Sequence, residues 1–222
     1  MRVHIVSQHN RTLYLHELEA MHRHRHELFV GQLGWRALES PDGLDVDEFD
    51  GLDATYLLAL DNDGELLGSG RMIPSWRRHM LRDLFPQYCS EPVPVGPDIW
   101  EWTRHAPPGR TRSRETNLAV NLALNIAIVE FAISRGITGI TGLLEARMVP
   151  FALSIGWRNR PLGPPQPYAE GMAVALLNEL WPGQLEALRS KAGRTSPYIV
   201  ECHCESDLTH MQRASTTAAI AA

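Results

Sequence analysis

Apolar and polar residues alternate over residues 2–6, with Val3 and Ile5 on one side, and a two-residue period of this kind predicts a short strand. From about Thr12 to Leu33 the apolar positions Leu15, Leu18, Met21 and Leu28 favour a helix, no proline interrupts it, and Gly34 follows as a stop. Two apolar runs, 55–60 and 65–73, flank Asp61-Asn62-Asp63-Gly64; Asn and Gly tolerate positive φ, so the pair predicts a β-hairpin. Residues 77–85 suit a short helix and 99–105 a strand. The segment 115–135 is apolar almost all round, through Leu118, Val120, Leu122, Leu124, Ile126, Ile128, Val129, Phe131 and Ile133, and closes on Arg135-Gly136. A helix of that kind must be largely buried. A strand at 137–144, a helix at 148–155, an exposed Pro-rich loop at 161–167, a strand at 171–177 and a helix at 182–191 complete the pattern. Strands and helices mix without strict alternation, and no repeat or linker divides the chain. We therefore expect one α/β domain over residues 1–205, a three-layer sandwich around a mixed, twisted sheet, followed by a loose tail at 206–222.

Composition narrows the function. The net charge of −5 argues against nucleic acid as a partner, which would require a basic footprint. The N-terminus carries no apolar run of signal-peptide length, and no segment suggests a membrane span, so a cytoplasmic protein without membrane insertion is expected. Cys89 stands alone, and Cys202 and Cys204 form a C-x-C that fits neither a zinc site nor a disulfide framework.

The chemistry concentrates in a stretch without periodicity between Gly34 and Thr55. It holds Glu39, Asp42, Asp45, Asp47, Glu48, Asp50 and Asp53 against Arg36 alone. A loop that long in a compact domain is functional or disordered, and the embedded Phe49 and Leu52 favour a pinned loop. Pinned carboxylates require cationic partners, for which Arg25 and Arg71 are placed on the flanking elements.

Arg25, Phe29, Leu33-Gly34-Trp35, Asp47-Glu48-Phe49-Asp50, Gly70-Arg71 and Trp100-Glu101-x-x-Arg104 together resemble, in order and spacing, the LuxI-type acyl-homoserine-lactone (autoinducer) synthases. The similarity runs from Met1 to about Gly163 and includes Ile155-Gly156-Trp157. It implies an N-acetyltransferase-like fold and a two-step reaction. The amine of S-adenosylmethionine attacks an acyl thioester, carried by coenzyme A or acyl-carrier protein. The methionine carboxylate then closes on its own γ-carbon and expels methylthioadenosine. No cofactor and no metal is called for.

By that resemblance Glu101 is the base that deprotonates the amine, and Arg104, Arg71, Asp47 and Asp50 complete the catalytic set. Asp50 and Arg71 form a pair holding the loop over the site. Phe29 and Trp35 offer aromatic faces to the sulfonium, Arg25 or Arg104 a cation to the substrate carboxylate, and Thr103, His105 and Gly142 further substrate contacts. Backbone amides of a splayed strand would stabilise the thioester oxyanion. The chain departs from many relatives at His105, where they have phenylalanine, and at Gly142, where users of 3-oxoacyl chains often carry threonine. Loss of that hydroxyl argues for an unsubstituted, branched or aryl acyl group, of which a short branched or aryl acyl-CoA is favoured. The segment from His4 through Asn10, Arg11, Leu13 and Tyr14 to Arg25 and His26 is similar to the coenzyme-A-using branch.

Arg110, Arg112 and Arg114 precede the buried helix. They read as a solvated loop or as a phosphate contact for coenzyme A or a carrier's phosphopantetheine. The HRHRH run places His22 and His26 on one helix face, and a solvated face is favoured over a metal site. A Gly-rich acetyltransferase pyrophosphate signature is missing. Two other readings compete: an acyl-CoA N-acyltransferase with a different amine acceptor, and a binding domain without turnover. Release of methylthioadenosine separates them from a lactone synthase.

Overall fold

The computed structural model describes residues 1–169 and 171–204, and the expected tail at 206–222 lies outside them. One sheet of nine strands runs in the order β6-β8-β5-β4-β3-β2-β1-β9, with β7 also paired to β8. Its members are β1 (Arg2–Val6), β2 (Thr55–Leu60), β3 (Leu66–Pro74), β4 (Ile99–Ala106), β5 (Gly139–Glu145), β6 (Asn159–Pro161), β7 (Gln166–Tyr168), β8 (Gly171–Glu179) and β9 (Ile199–Val200). The β4–β5 and β1–β9 contacts are parallel, whereas β1–β2–β3–β4 and the β8 contacts are antiparallel.

The alternation of the strands explains the layers. On β2, Leu57 and Ala59 pack with the long helix α3 (Arg114–Arg135), while Tyr56, Leu58 and Leu60 pack with α1 (Leu15–His26) on the opposite face. Both faces are therefore covered, as a three-layer sandwich requires. Each fully buried leucine contributes roughly 1.5–3 kcal/mol over the exposed state. The helix α5 (Gln184–Ala192) adds Leu188 to the α3 side.

Helix ends follow their caps. The Ser113 side chain accepts a hydrogen bond from Thr116 N at 3.2 Å at the start of α3, and Gly136 ends it at φ +67°. Among the described residues α3 is long and apolar enough to cross a membrane, but most of it is buried in the core. It is not apolar all round. Leu118 and Ile133 are exposed at 49% and 60%, and Asn117, Asn121 and Asn125 recur every four residues as a polar stripe. Helix α1 runs on into one wider turn, Glu27–Gln32, where Leu33 N bonds back to Leu28 O, and stops at Gly34 with φ +75°.

Three expectations change. The helix expected at 77–85 shrinks to α2 (Met80–Asp83) because Pro86 begins a separate turn. The Pro-rich stretch is not an open loop: β6 and β7 are three-residue strands laddered onto β8, with prolines at positions that edge strands tolerate. The strand β9, unforeseen, adds two residues beside β1.

Candidate active site

The acidic loop is pinned, and its partners form a closed network. Arg25 donates from Nε to Asp45 at 2.7 Å and from both terminal nitrogens to Asp50 at 2.9 and 3.0 Å. Arg71 holds Asp47 at 2.6 and 3.0 Å and Asp50 at 2.8 Å. Arg104 reaches Asp45 at 2.9 Å and Asp47 at 2.9 Å. Three guanidinium groups thus meet three carboxylates. Arg25, Arg71, Asp45 and Asp50 are all at most 3% exposed. Burial alone would raise the Asp50 carboxyl, but Arg71 and Arg25 outweigh it and hold it far below the usual range. Burial likewise opposes the charge on Asp45, and Arg25 and Arg104 overcome it.

The loop fastens to α1 as well. His22 Nδ1 lies 2.8 Å from the Asp45 carbonyl, and Ser40 N donates to His26 Nε2. The histidine face expected to be solvated is therefore a seam between helix and loop, and Arg25 between those histidines is buried. Among the described residues no group of three or more His, Cys, Asp or Glu side chains is arranged to hold a metal.

The geometry of β4 aims Arg104. Between Thr103 and Ala106 the strand carries one residue more than β3 does between Ser69 and Arg71, a β-bulge. Arg104 sits in it at φ +51°, a left-handed conformation that costs a non-glycine residue about 1–3 kcal/mol. The bulge breaks the alternation and lets Arg104 reach the loop. On its other edge β4 pairs with β5 only from Ile99–Gly139 to Glu101–Thr141. Past that register the two strands diverge. A cavity of about 390 Å³ opens between them, lined by Trp102–His105 from β4 and Gly142–Glu145 from β5.

Glu101 stands at the last paired position, 1% exposed and facing the cavity. It accepts hydrogen bonds from Leu81 N at 2.6 Å and Met80 N at 3.0 Å. Burial raises its pKa to about 7, against the lowering effect of those two bonds. A carboxylate poised near neutrality suits a base working at physiological pH. Two signatures follow. The pH–rate profile should rise with an apparent pKa near 7, a limb that Glu101→Asp displaces. The folded protein also holds this proton more tightly than the unfolded chain, so stability should decline as pH rises from about 4.5 to about 7. Denaturant unfolding of wild type and Glu101→Gln across that interval checks the second, and parallel curves would contradict it.

Aromatic residues frame the mouth. Phe29 and Trp35 stack with centroids 5.0 Å apart, the Arg104 guanidinium lies 5.7 Å from the Phe29 centroid, and Tyr168 meets Trp35 edge-on. His105 lies against Asn121, Nε2 to Oδ1 at 3.3 Å, and enclosure pushes its pKa down to about 4, which keeps the ring neutral. A Cβ at Gly142 would come within 3.0 Å of the Trp102 carbonyl oxygen.

Of the residues singled out from sequence, Phe29, Trp35, Glu101, Thr103, Arg104, His105 and Gly142 line the cavity. Arg71, Asp47 and Asp50 lie behind it in the ion network, with Arg71 Nε donating to Thr103 Oγ1 at 3.1 Å. Arg25 does not line the cavity: it is 1% exposed and its guanidinium is held by Asp45 and Asp50, whereas Arg104, held by Asp45 and Asp47, does line it. Arg110 and Arg112 are exposed ahead of α3 and Arg114 is exposed as its first residue, all three outside the cavity wall. Sequence reasoning missed Asp45, Tyr168 and the asparagines of α3. The four-residue spacing of Asn117, Asn121 and Asn125 was the visible signal for the last.

Comparison with known proteins bears on this arrangement. A family model described as autoinducer synthase matches residues 9–184. The isovaleryl-homoserine lactone synthase of Bradyrhizobium diazoefficiens strain USDA 110 is 32% identical over 195 residues, 87% of each chain. The solved structure of BjaI, a CoA-dependent acyl-homoserine lactone synthase with SAM and isopentyl-CoA, superposes with a TM-score of 0.85 at 29% identity, covering 97% of this chain and 99% of BjaI. A putative N-acetyltransferase from Lactobacillus plantarum shares the fold at 17% identity, with a TM-score of 0.51 over 82% of this chain and all of the other.

Proposed function

This chain belongs to the autoinducer synthase family, and on that premise we propose how its site works as an acyl-homoserine-lactone synthase. The observation that carries the reading is the seam where β4 and β5 part. There a buried carboxylate with a pKa near 7 faces a half-open, mostly apolar-walled cavity beside a stacked aromatic pair.

In the first step Glu101 takes a proton from the amine of S-adenosylmethionine, directly or through water. The amine nitrogen bonds to the thioester carbon, the C–S bond breaks and the thiol leaves. Backbone amides exposed where the strands diverge stabilise the oxyanion. In the second, a carboxylate oxygen attacks the γ-carbon, the bond to the sulfonium breaks and methylthioadenosine departs. Phe29 and Trp35 supply π faces for the sulfonium, and Asp47, the most exposed of the three aspartates at 20%, faces the ammonium. Arg104 orients the substrate carboxylate from its bulge, while Arg25, Arg71, Asp45 and Asp50 hold the loop in place. No cofactor beyond the two substrates takes part. We place the reaction in the cytoplasm.

For the acyl donor we propose a short branched or aryl acyl-CoA. Gly142 offers no hydroxyl to a 3-oxo group. Arg110, Arg112 and Arg114, clustered around the start of α3, suit the phosphates of coenzyme A. Specificity constants for isovaleryl-CoA, an arylacryloyl-CoA, a long acyl-CoA and matching acyl-carrier-protein thioesters test this. The two short donors should lead by about tenfold or more, a difference of the size given by one or two methylenes in a fitted pocket. A long 3-oxoacyl-carrier protein in first place would overturn it.

A further inference from the structure

The far wall of the cavity carries polar atoms that the reaction above does not use. By strand alternation Asn178 on β8 shares a sheet face with Leu176 and pairs in register with Ile140 on one side and Asn159 on the other. Asn159, Asn178, Leu176 and Ile140 all line the cavity. Asn159 Nδ2 and Asn178 Oδ1 are fully buried and have no hydrogen-bond partner among the described residues.

The asparagines of α3 offer a contrast. Asn125 accepts from Trp157 Nε1 at 2.7 Å and donates to Asn121 at 2.8 and 2.9 Å, and Asn121 also meets His105. The asparagines of that wall are paired with one another, with Trp157 and with His105, whose Nδ1 has no partner among the described residues. Beside it stand one open donor and one open acceptor, facing a space otherwise bounded largely by carbon. A buried polar atom left unpaired is costly, and a site built around such atoms favours ligands that satisfy them.

A hydroxyl both donates and accepts, and so matches this pair. We propose that the acyl group carried by the thioester bears a hydroxyl near its far end, with Asn159 and Asn178 as the residues that select it. The inference rests on the synthase reading and narrows its donor class from short branched or aryl groups to hydroxylated ones. Asn159 Nδ2 donates a hydrogen bond to the hydroxyl oxygen, and Asn178 Oδ1 accepts one from the hydroxyl O–H.

The test compares matched donors that differ only in that hydroxyl: 4-hydroxycinnamoyl-CoA against cinnamoyl-CoA, and 5-hydroxypentanoyl-CoA against pentanoyl-CoA. Methylthioadenosine release is followed with purified full-length protein. The hydroxylated member of at least one pair should win by about tenfold or more in kcat/KM. The aromatic and aliphatic pairs reveal which skeleton carries it. A preference below tenfold in both pairs overturns the proposal while leaving the synthase reading intact. Absence of methylthioadenosine with every donor overturns both. Asn159→Leu and Asn178→Leu each should bring the winning ratio to threefold or less. An undiminished ratio in both folded variants would place the selection elsewhere and reject these residues.

Discussion

Alanine in place of Asp50 should destabilise the protein by about 3–5 kcal/mol and eliminate measurable turnover, because it leaves two buried guanidinium groups short of a counter-charge. Asp50 is the link between Arg25 and Arg71, which are 1% and 0% exposed, and it also accepts a hydrogen bond from the Tyr56 hydroxyl at 2.9 Å. Neither arginine can neutralise by losing a proton, so the structure must open or admit water. Asp47 would lose its own support, since its backbone N–H donates to Asp50 at 2.9 Å. Arg71→Ala should be comparably damaging, because it strips both Asp47 and Asp50 of their principal partner. The two losses should not add. Removing both ends leaves Arg25 with Asp50's absence alone to bear, and the double variant should be less destabilised than the sum by about 0.5–3 kcal/mol. Equilibrium denaturation of the four proteins measures this directly, and strict additivity would show that the pair does not act as a unit.

Glutamine in place of Glu101 should lower acyl transfer by about 10²-fold or more in protein that remains folded. The carboxylate is the titratable group at the seam whose pKa lies near neutrality, and an amide cannot take a proton from the attacking amine. The substitution is not silent structurally. Glu101 accepts from two backbone amides, and glutamine must turn its NH₂ toward one of them, at an expected cost of about 1–3 kcal/mol. Activity must therefore be read at a temperature where both proteins are folded by circular dichroism. Turnover close to wild type in that window would remove Glu101 from the role of base.

Some of this was legible in the sequence, for physical reasons. The hairpin from Thr55 to Ile73 announced itself because Asn62 and Gly64 supply the turn and both strands are apolar. The core helix and its glycine stop were equally plain. The ordered pattern from Arg25 to Arg104 located the family, and Phe29, Trp35, Glu101 and Arg104 of that pattern line the cavity.

What stayed hidden was tertiary. Which of seven loop acids meets which arginine depends on the way the loop folds back over α1 and β4, so Asp45 was indistinguishable from Asp42 or Asp53. The HRHRH run reads as a solvated face, yet Arg25 within it is buried by the acidic loop, to which its charge had made it a candidate partner. The bulge at Arg104 adds a residue to β4 without a glycine to mark it. Strands β6 and β7 exist only because β8 lies alongside, and their own prolines point the other way. The α3 asparagines were outweighed by the apolar residues around them, although their spacing placed them on one face.

Acylation of S-adenosylmethionine and closure of the lactone leave a product set that no other acyl transfer gives. Purified protein given S-adenosylmethionine and an accepted acyl-CoA should release methylthioadenosine, coenzyme A and acyl-homoserine lactone in equal amounts, followed together by liquid chromatography and mass spectrometry. Coenzyme A released with an acylated amine but without methylthioadenosine would mark an ordinary N-acyltransferase and contradict the account.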